Sequence, residues 1–200
     1  MATGRPDSKS KRGPKSARQP LRLIQVRPAC PDDAPEILEV LCESIIRLCA
    51  DDHQDDAHTL AVWLENKTIE KITTWIESPS THSVVAVADD VLCGVGLIDS
   101  GGDLRLCYVL PGWERQGVGR ELLRDMETRA HRWGLSEIRL TSSSRARAFY
   151  ERHGYVVSGP PANPFGVLRE YPYSKALVPT GIPAGDPAAP RPRRRPHRDG

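Results

Sequence analysis

The sequence predicts a single mixed α/β domain between two low-complexity tails. Three observations favour this fold class: short segments in which apolar residues alternate, helical stripes of apolar residues between those segments, and a sharp change of composition near each end. A chain of 200 residues is long enough for one domain with a substantial core. The predicted divisions are a tail over 1–22, a domain over 23–177 and a tail over 178–200.

Charge separates the tails from the domain. Residues 1–22 carry seven Lys/Arg and one Asp, a net charge of +6, and residues 178–200 carry five Arg and two Asp, a net charge of +3. Because the whole chain carries only +2, residues 23–177 carry −7. Both tails have little to bury and are predicted to be disordered. Basic tails offer a surface for nucleic acid or anionic lipid, but a solvated tail without a partner is the favoured alternative.

The sequence also restricts the compartment and the chemistry. It has no apolar run long enough for a membrane span, and the polar N-terminal tail lacks the apolar segment of a secretory signal. Its cysteines are odd in number and form no Cys-x-x-Cys pattern: Cys30, Cys42, Cys49, Cys93 and Cys107. We therefore expect free thiols, no metal site and a cytoplasmic location. The expected oligomeric state is a monomer or a homodimer.

The first half of the domain predicts one strand, two helices and a hairpin. The predicted elements are a strand over 23–27, a helix from Asp32-Asp33 through Leu48, a polar link over 53–56, a helix over 58–77 interrupted near Asn66, a strand over 83–87, a turn at Asp89-Asp90 and a strand over 91–98. Gly94 and Gly96 reduce the bulk of that last strand. The predicted strand over 168–176 completes the sheet, after a loop over 158–166 that contains three prolines.

A glycine-containing turn stands at the centre of the second half. Alternating apolar residues over 104–110 predict a strand that Pro111 ends, and a four-residue apolar spacing from Val118 predicts a helix. The turn over 115–120 therefore lies at a helix N-terminus, where unpaired N–H groups and the helix dipole favour an anion. Gly117 and Gly119 permit close approach of a ligand, which predicts a phosphate or pyrophosphate site.

Two common phosphate motifs do not match this turn. A P-loop requires Lys followed by Ser or Thr after its last glycine, whereas this chain has Arg120-Glu121. A dinucleotide fingerprint requires a third glycine, where this chain has Leu122. On the two glycines alone, a turn without any ligand is an equal alternative.

A second block of residues resolves the ambiguity. A short strand over 137–141 leads through three serines, which can cap a helix over 145–152, to Gly154 and a further strand from Tyr155. The two blocks together share one spacing, formed by Val109, Pro111, Gly117 and Gly119, then Ala146, Phe149, Tyr150, Gly154 and Tyr155. This pattern resembles the GNAT superfamily of acyl-CoA-dependent N-acyltransferases, and the resemblance covers roughly residues 24–177.

The resemblance implies a fold and a set of site residues. It implies a mixed, mostly antiparallel sheet with helices on both faces, which opens at the motif strand to admit acetyl-CoA. By the same resemblance, backbone groups bind the pyrophosphate and pantetheine of the donor, through Arg115, Gln116, Gly117, Val118, Gly119 and Arg120 and through Cys107, Tyr108 and Val109. Tyr150 would be the general acid that protonates the leaving thiolate, with a core aromatic as the alternative.

Two positions depart from the family pattern. Glu114 stands where the family usually has Gln or Arg, and Ser143 stands where it often has an Asn that contacts coenzyme A. The Ser143 hydroxyl can still form that hydrogen bond with a shorter reach. The general base stays open, because Asp103 and Glu137 have no signal beyond their acidity and a water chain is a third alternative.

The first two helices and their link form a wall of the acceptor pocket in this family. Trp63, Trp75 and His53 are the candidates for that wall here, with core packing or a polar loop as alternatives. The favoured function is transfer of an acetyl group to a primary amine of a small molecule, and the acidic domain suits a cationic acceptor. The alternatives are acetylation of a macromolecule, such as a protein amine or an aminoacyl-tRNA, and a non-catalytic acyl-CoA-binding module.

Overall fold

The computed structural model describes residues 22–164 and 166–178, which fold into seven strands and six α-helices. In chain order the elements are β1 (Gln25–Pro28), α1 (Ala34–Glu43), α2 (Ala50–His53), α3 (Ala57–Leu64), α4 (Ile69–Glu77), β2 (Thr81–Ala88), β3 (Val91–Asp99), β4 (Asp103–Val109), α5 (Val118–Arg132), β5 (Glu137–Ser142), α6 (Arg147–Arg152), β6 (Val156–Val157) and β7 (Tyr171–Ala176). A 3-10 turn precedes α1, and a π-helical turn over Ser44–Leu48 follows it.

The seven strands form one sheet in the order β1-β2-β3-β4-β5-β7-β6. Every neighbouring pair is antiparallel except β4 and β5, which run parallel. Helices cover both faces: α5 packs on one face, and α1 and α4 pack on the other. The predicted fold class, a mixed and mostly antiparallel sheet between helices, is confirmed.

Each face of the sheet has its own apolar core. Alternate residues of one strand serve both cores, since Val84 and Ala86 lie under α5 while Val85 lies under α1 and α4. The α5 core is built around Leu122 and Met126, both fully buried. This division follows from the two-residue period of a strand, which turns successive side chains to opposite faces.

Two glycines of β3 let α5 lie close to the sheet. A Cβ atom at Gly94 would stand 2.6 Å from Val118 Cγ1, and one at Gly96 would stand 2.9 Å from Met126 Cε. No ordinary side chain fits at those separations, so the predicted role of both glycines in limiting bulk is confirmed. Because these glycines have no side chains, α5 packs close to β3, and this packing fixes the position of its N-terminus.

Several predicted boundaries differ from the structure. The first helix does not run unbroken to Leu48, because α1 ends at Glu43 and the π-helical turn follows it. The helix predicted to begin at Arg145 begins at Arg147. None of the three preceding serines caps it, because its N-cap is Ala146. The split of the second predicted helix near Asn66 is confirmed.

Most residues of the two predicted tails lie outside the described residues. The exception at the N-terminal side is Arg22, whose guanidinium lies 4.5 Å from the ring centre of Trp113 and 3.2 Å from Asp89. Arg22 is thus attached to the domain rather than separate from it. In the described ranges, no helix is long and apolar enough to cross a membrane.

A buried carboxylate joins two distant parts of the chain. Asp52, in α2, is 3% exposed, and its Oδ1 accepts a hydrogen bond of 2.6 Å from the N–H of Ser144. Its Oδ2 has no hydrogen-bond partner within the described ranges. The bond spans 92 positions and holds the connection between β5 and α6 against α2.

Replacement of Gly94 by valine should displace α5. The new side chain would collide with Val118 and Leu122, which are both fully buried, so we expect a loss of ~1–3 kcal/mol in the free energy of unfolding. Chemical denaturation measures this loss. Val91→Ala, at a 39% exposed position of the same strand, should change stability by less than about 1 kcal/mol. Equal losses in both variants would contradict the packing argument.

Replacement of Asp52 by alanine should leave the Ser144 N–H without its acceptor. Because a buried unpaired donor is costly, we expect a loss of ~1–3 kcal/mol in unfolding free energy. Asp51→Ala is the matched control, since Asp51 is exposed on the same short helix, and we expect a change within about 0.5 kcal/mol. A stable Asp52→Ala variant would show that desolvation of the carboxylate offsets the bond.

Candidate active site

The parallel pair in the sheet opens after two residues. β4 and β5 pair only through Asp103 with Arg139 and Leu104 with Leu140, and beyond that point the strands diverge. The space between them is a cleft of about 1520 Å³. Residues 105–109 line its β4 side and residues 140–143 line its β5 side. The expected opening at the motif strand is therefore present in the fold.

The N-terminus of α5 faces one end of this cleft. Gly117 is its N-cap with φ +97°, a backbone conformation that favours glycine, and its carbonyl accepts the first backbone bond of the helix, 3.1 Å from the N–H of Glu121. The helix therefore has no internal acceptor for the N–H groups of Val118, Gly119 and Arg120. Such a terminus favours an anion.

The side chains of the predicted anion-binding turn have different roles. Four of the six residues line the cleft: Arg115, Gly117, Gly119 and Arg120. Gln116 instead donates from Nε2 to the carbonyl of Gly112 at 2.7 Å, and the Val118 side chain is buried in the core. For these two residues, only the backbone is available to a ligand.

Gly119 in this turn and Glu114 just before it make contacts that the sequence alone did not predict. A Cβ atom at Gly119 would lie 3.3 Å from the Phe149 ring, so this glycine admits the packing of α6 as well as any ligand. Glu114 accepts a hydrogen bond from the Gly112 N–H. Glu114, which departs from the family pattern, therefore stabilises the turn.

Tyr150 lies on α6, lines the cleft and is 6% exposed. Its ring packs edge-to-face against Phe149 and Tyr155, at centroid distances of 5.1 and 5.6 Å. Burial raises the pKa of Tyr150 well above its ordinary value, and neighbouring Cys107 raises it further. The hydroxyl therefore stays protonated at neutral pH, and Tyr150 is both a core aromatic and a cleft residue.

The last residues of β4 form the adjoining wall. Cys107 Sγ lies 4.0 Å from the Gly119 carbonyl, and burial raises the pKa of this thiol to about 12. A protonated thiol is a poor nucleophile, so Cys107 is not suited to covalent catalysis. Cys107, Tyr108 and Val109 all line the cleft, and their backbone pairs with β3 on one side only.

Ser143 lines the cleft opposite β4, at the point where β5 ends. The preceding Ser142 is buried, and its hydroxyl donates to the Ser143 carbonyl at 2.8 Å. With the Asp52 bond to Ser144, this segment is held on both sides of Ser143. The structure thus brings Ser143 into the same cleft as Tyr150 and the α5 N-terminus.

The far end of the cleft contains residues that the sequence analysis missed. Trp63, a predicted wall residue, lines this end together with Lys67, Leu168 and Glu170. Burial lowers the pKa of Lys67 and raises that of Glu170. No sequence pattern identifies Glu170, because only the pairing of β5 with β7 brings it to the cleft.

His53 and Trp75, the other predicted acceptor residues, both pack into the domain. His53 is 1% exposed, at the end of α2 rather than in a polar link, and its Nε2 lies 3.2 Å from the Ile46 carbonyl. Trp75 borders the cleft but packs with the α1 and α4 core. The two candidate bases, Asp103 and Glu137, both contact Arg139, at the end where β4 and β5 are still paired.

No cluster of three or more metal-binding side chains occurs in the described part of the chain. All five cysteines are free thiols. The polar groups that line the cleft are therefore backbone amides, hydroxyls, the thiols of Cys49 and Cys107 and charged side chains. This set can hold an anionic molecule and donate a proton to it.

Solved structures share this fold. A GCN5-related N-acetyltransferase from Rhodopseudomonas palustris is 21% identical, with a TM-score of 0.70 over 80% of this chain and 100% of that one. The PaiA N-acetyltransferase from Thermoplasma acidophilum, in complex with coenzyme A, is 21% identical, with a TM-score of 0.66 over 78% and 99%. No curated protein matches the sequence.

The sequence itself matches a family model. The acetyltransferase (GNAT) domain model matches residues 49–176, which is more than half of the chain and includes both walls of the cleft. The same range contains the α5 N-terminus, the motif strand and Tyr150. The chain therefore belongs to the GNAT family and is an acetyltransferase that uses acetyl-CoA.

Proposed function

We propose that this acetyltransferase moves the acetyl group directly from acetyl-CoA to a primary amine of a small molecule. The observation that carries the proposal is one continuous cleft that contains the α5 N-terminus, the free edge of β4 and the protonated Tyr150 hydroxyl. An anion site, an extended edge and a proton donor in this order match a long thioester with a phosphate end.

In this proposal the donor lies along the α5 N-terminus and β4. The amides of Val118, Gly119 and Arg120 bind the pyrophosphate, and Arg115 adds positive charge. Beyond Leu104, β4 has no partner on the β5 side, so the backbone of residues 107–109 can hydrogen-bond the pantetheine amides. Ser143 contacts the donor from the opposite wall.

The chemistry then needs one nucleophile and one proton donor. The amine nitrogen attacks the thioester carbon, a C–N bond forms, and the C–S bond breaks as the tetrahedral intermediate collapses. The thiolate takes the proton of the Tyr150 hydroxyl, and the tyrosinate recovers a proton that the nitrogen loses. The high pKa of Tyr150 keeps that hydroxyl protonated before each turnover.

The connection between β6 and β7 favours a small acceptor. The N–H of Val167 donates to Thr59 Oγ1 at 3.2 Å, so this connection packs against α3, the helix from which Trp63 lines the cleft. Thr59 is fully buried in this contact. In the proposal, this contact restricts the acceptor end, which then accommodates a small amine more readily than a residue on a folded macromolecule.

Calorimetric titration tests the donor site. We expect wild type to bind acetyl-CoA with micromolar affinity, and Gly117→Val to weaken it by at least ~10-fold, because a side chain would occupy the anion site. Gly112→Val is the matched control: Gly112 also has positive φ, a Cβ atom there would meet nothing within 4 Å, and it does not line the cleft. Equal weakening in both variants, or no binding by wild type, would contradict this placement.

Removal of the Tyr150 hydroxyl tests the general acid. We expect Tyr150→Phe to lower kcat by ~10²–10⁴-fold while the Kd for acetyl-CoA changes less than about twofold, because a hydroxyl donor acts on the leaving thiolate. Tyr155→Phe is the control, since this neighbouring buried hydroxyl has no hydrogen-bond partner of ordinary geometry among the described residues. Tyr150→Phe with wild-type kcat would remove Tyr150 from the mechanism.

A further inference from the structure

Three carboxylates line the cleft in the part of the chain that the structure describes: Asp103, Glu114 and Glu170. Asp103 pairs with Arg139 at 3.0 Å, and Glu114 accepts a hydrogen bond from the Gly112 N–H. Within the same described ranges, the Glu170 carboxylate has no hydrogen-bond or ion-pair partner. A half-buried carboxylate without a partner is costly, and a cationic ligand would remove that cost.

The sheet register places Glu170 at the acceptor end. Ser142 at the end of β5 pairs with Tyr171, so Glu170 lies beside the β5 terminus and next to Ser143. Its backbone is fixed by two hydrogen bonds with Ala162, of 2.8 and 2.9 Å. Across the cleft stands Tyr108, close enough that the charge of Glu170 contributes to raising the Tyr108 pKa.

The remaining walls at this end are largely apolar. Trp63 on α3 reaches the Tyr108 hydroxyl, and Leu168 is 3% exposed. Two cations of the cleft lining are engaged or exposed: Lys67 Nζ lies 3.2 Å from the Trp63 carbonyl, and Arg145 is exposed. The acceptor end thus combines one unpaired carboxylate and one engaged lysine with aromatic and aliphatic surface.

We propose that Glu170 binds the ammonium group of the acceptor and removes its proton before attack, and that the acceptor is an ammonium ion on an apolar or aromatic carrier. This inference rests on the proposed acetyl transfer to an amine and adds the acceptor class and the base. It assigns to Glu170 a role that neither Asp103 nor Glu137 can take, because both of those contact Arg139.

The proton balance of the step is complete with groups already in the cleft. The ammonium R–NH₃⁺ gives one proton to the Glu170 carboxylate, which becomes a carboxylic acid, and R–NH₂ attacks the thioester. The C–N bond forms, the C–S bond breaks, and the thiolate takes the Tyr150 proton. The nitrogen loses a second proton, which restores Tyr150, and Glu170 returns its proton to solvent. The products are R–NH–COCH₃, the coenzyme A thiol and one proton.

Desolvation supports the role of Glu170 as a base. Burial raises the pKa of Glu170, whereas an exposed glutamate would be a weaker base at neutral pH. The raised pKa moves the carboxyl closer to the operating pH, where general-base catalysis is most efficient. Trp63 and Leu168 line the same cleft and supply apolar surface there.

Two matched probes test the assignment: phenethylamine, whose nitrogen is an ammonium ion at neutral pH, and O-benzylhydroxylamine, which has the same shape but an uncharged nitrogen. We expect Glu170→Gln to lower kcat/KM for phenethylamine by at least ~10²-fold and for O-benzylhydroxylamine by less than ~3-fold. The uncharged probe needs neither a cation site nor deprotonation before attack. Release of coenzyme A thiol measures both reactions.

The control variant is Glu137→Gln, which removes the same charge at a position outside the cleft lining and should leave both probes at wild-type rates. An equal loss for the two probes in Glu170→Gln, or no loss for either, overturns the assignment. If wild type acetylates other amines but not phenethylamine, the proposal that the acceptor has an apolar or aromatic group is wrong. No coenzyme A release with any amine overturns the proposed function itself, which separates the two failures.

Discussion

The close approach of α5 to β3 is the constraint on which the site depends. Gly94 and Gly96 remove the side chains that would stand between the helix and the sheet, so Val118 and Met126 fill that space. The N-terminus of α5 is thereby fixed next to the end of β4. The proposed anion site is built from backbone amides, so its geometry depends on this packing and on the hydrogen bonds that stabilise the preceding turn.

The sheet also contains an open seam, which is the unpaired edge of β4. β4 pairs with β3 along one edge and with β5 at only two residues of the other, so most of its second edge has no strand partner in the described residues. Exposed backbone edges are usually a liability in proteins. Here the seam is bounded by α5, α6 and the β5 terminus, which restricts it to an extended ligand.

The sequence predicts the parts of this enzyme that depend on local pattern. Glycine spacing, strand alternation and the Phe149-Tyr150 pair depend on near neighbours in the chain, so the fold class, the α5 N-terminus and the cleft position of Tyr150 were predictable. The caps assigned to the serines before α6 were wrong, because the helix begins at Arg147 and its N-cap is Ala146. His53 was wrongly expected in a polar link, because the chain forms α2 up to His53 and buries this residue.

Glu170 shows the limit of such prediction most clearly. Its position is set by the pairing of β7 with β5 and by one bridge to Ala162, and both are long-range contacts that local patterns do not contain. These contacts also place a negative charge away from the α5 terminus. The α5 amides, Arg115 and Arg120 lie at one end of the cleft, and the unpaired carboxylate of Glu170 lies at the other, where Lys67 is already engaged.

In the proposed reaction, the two ends of the cleft receive substrates of opposite charge, the anionic donor at the α5 terminus and the cationic acceptor at Glu170. The −7 charge of residues 23–177 favours the proposed acceptor near the domain surface, whereas the donor depends on the local field of the helix terminus. The reacting atoms of the proposed reaction meet between the two ends, where Tyr150 is buried and keeps its proton.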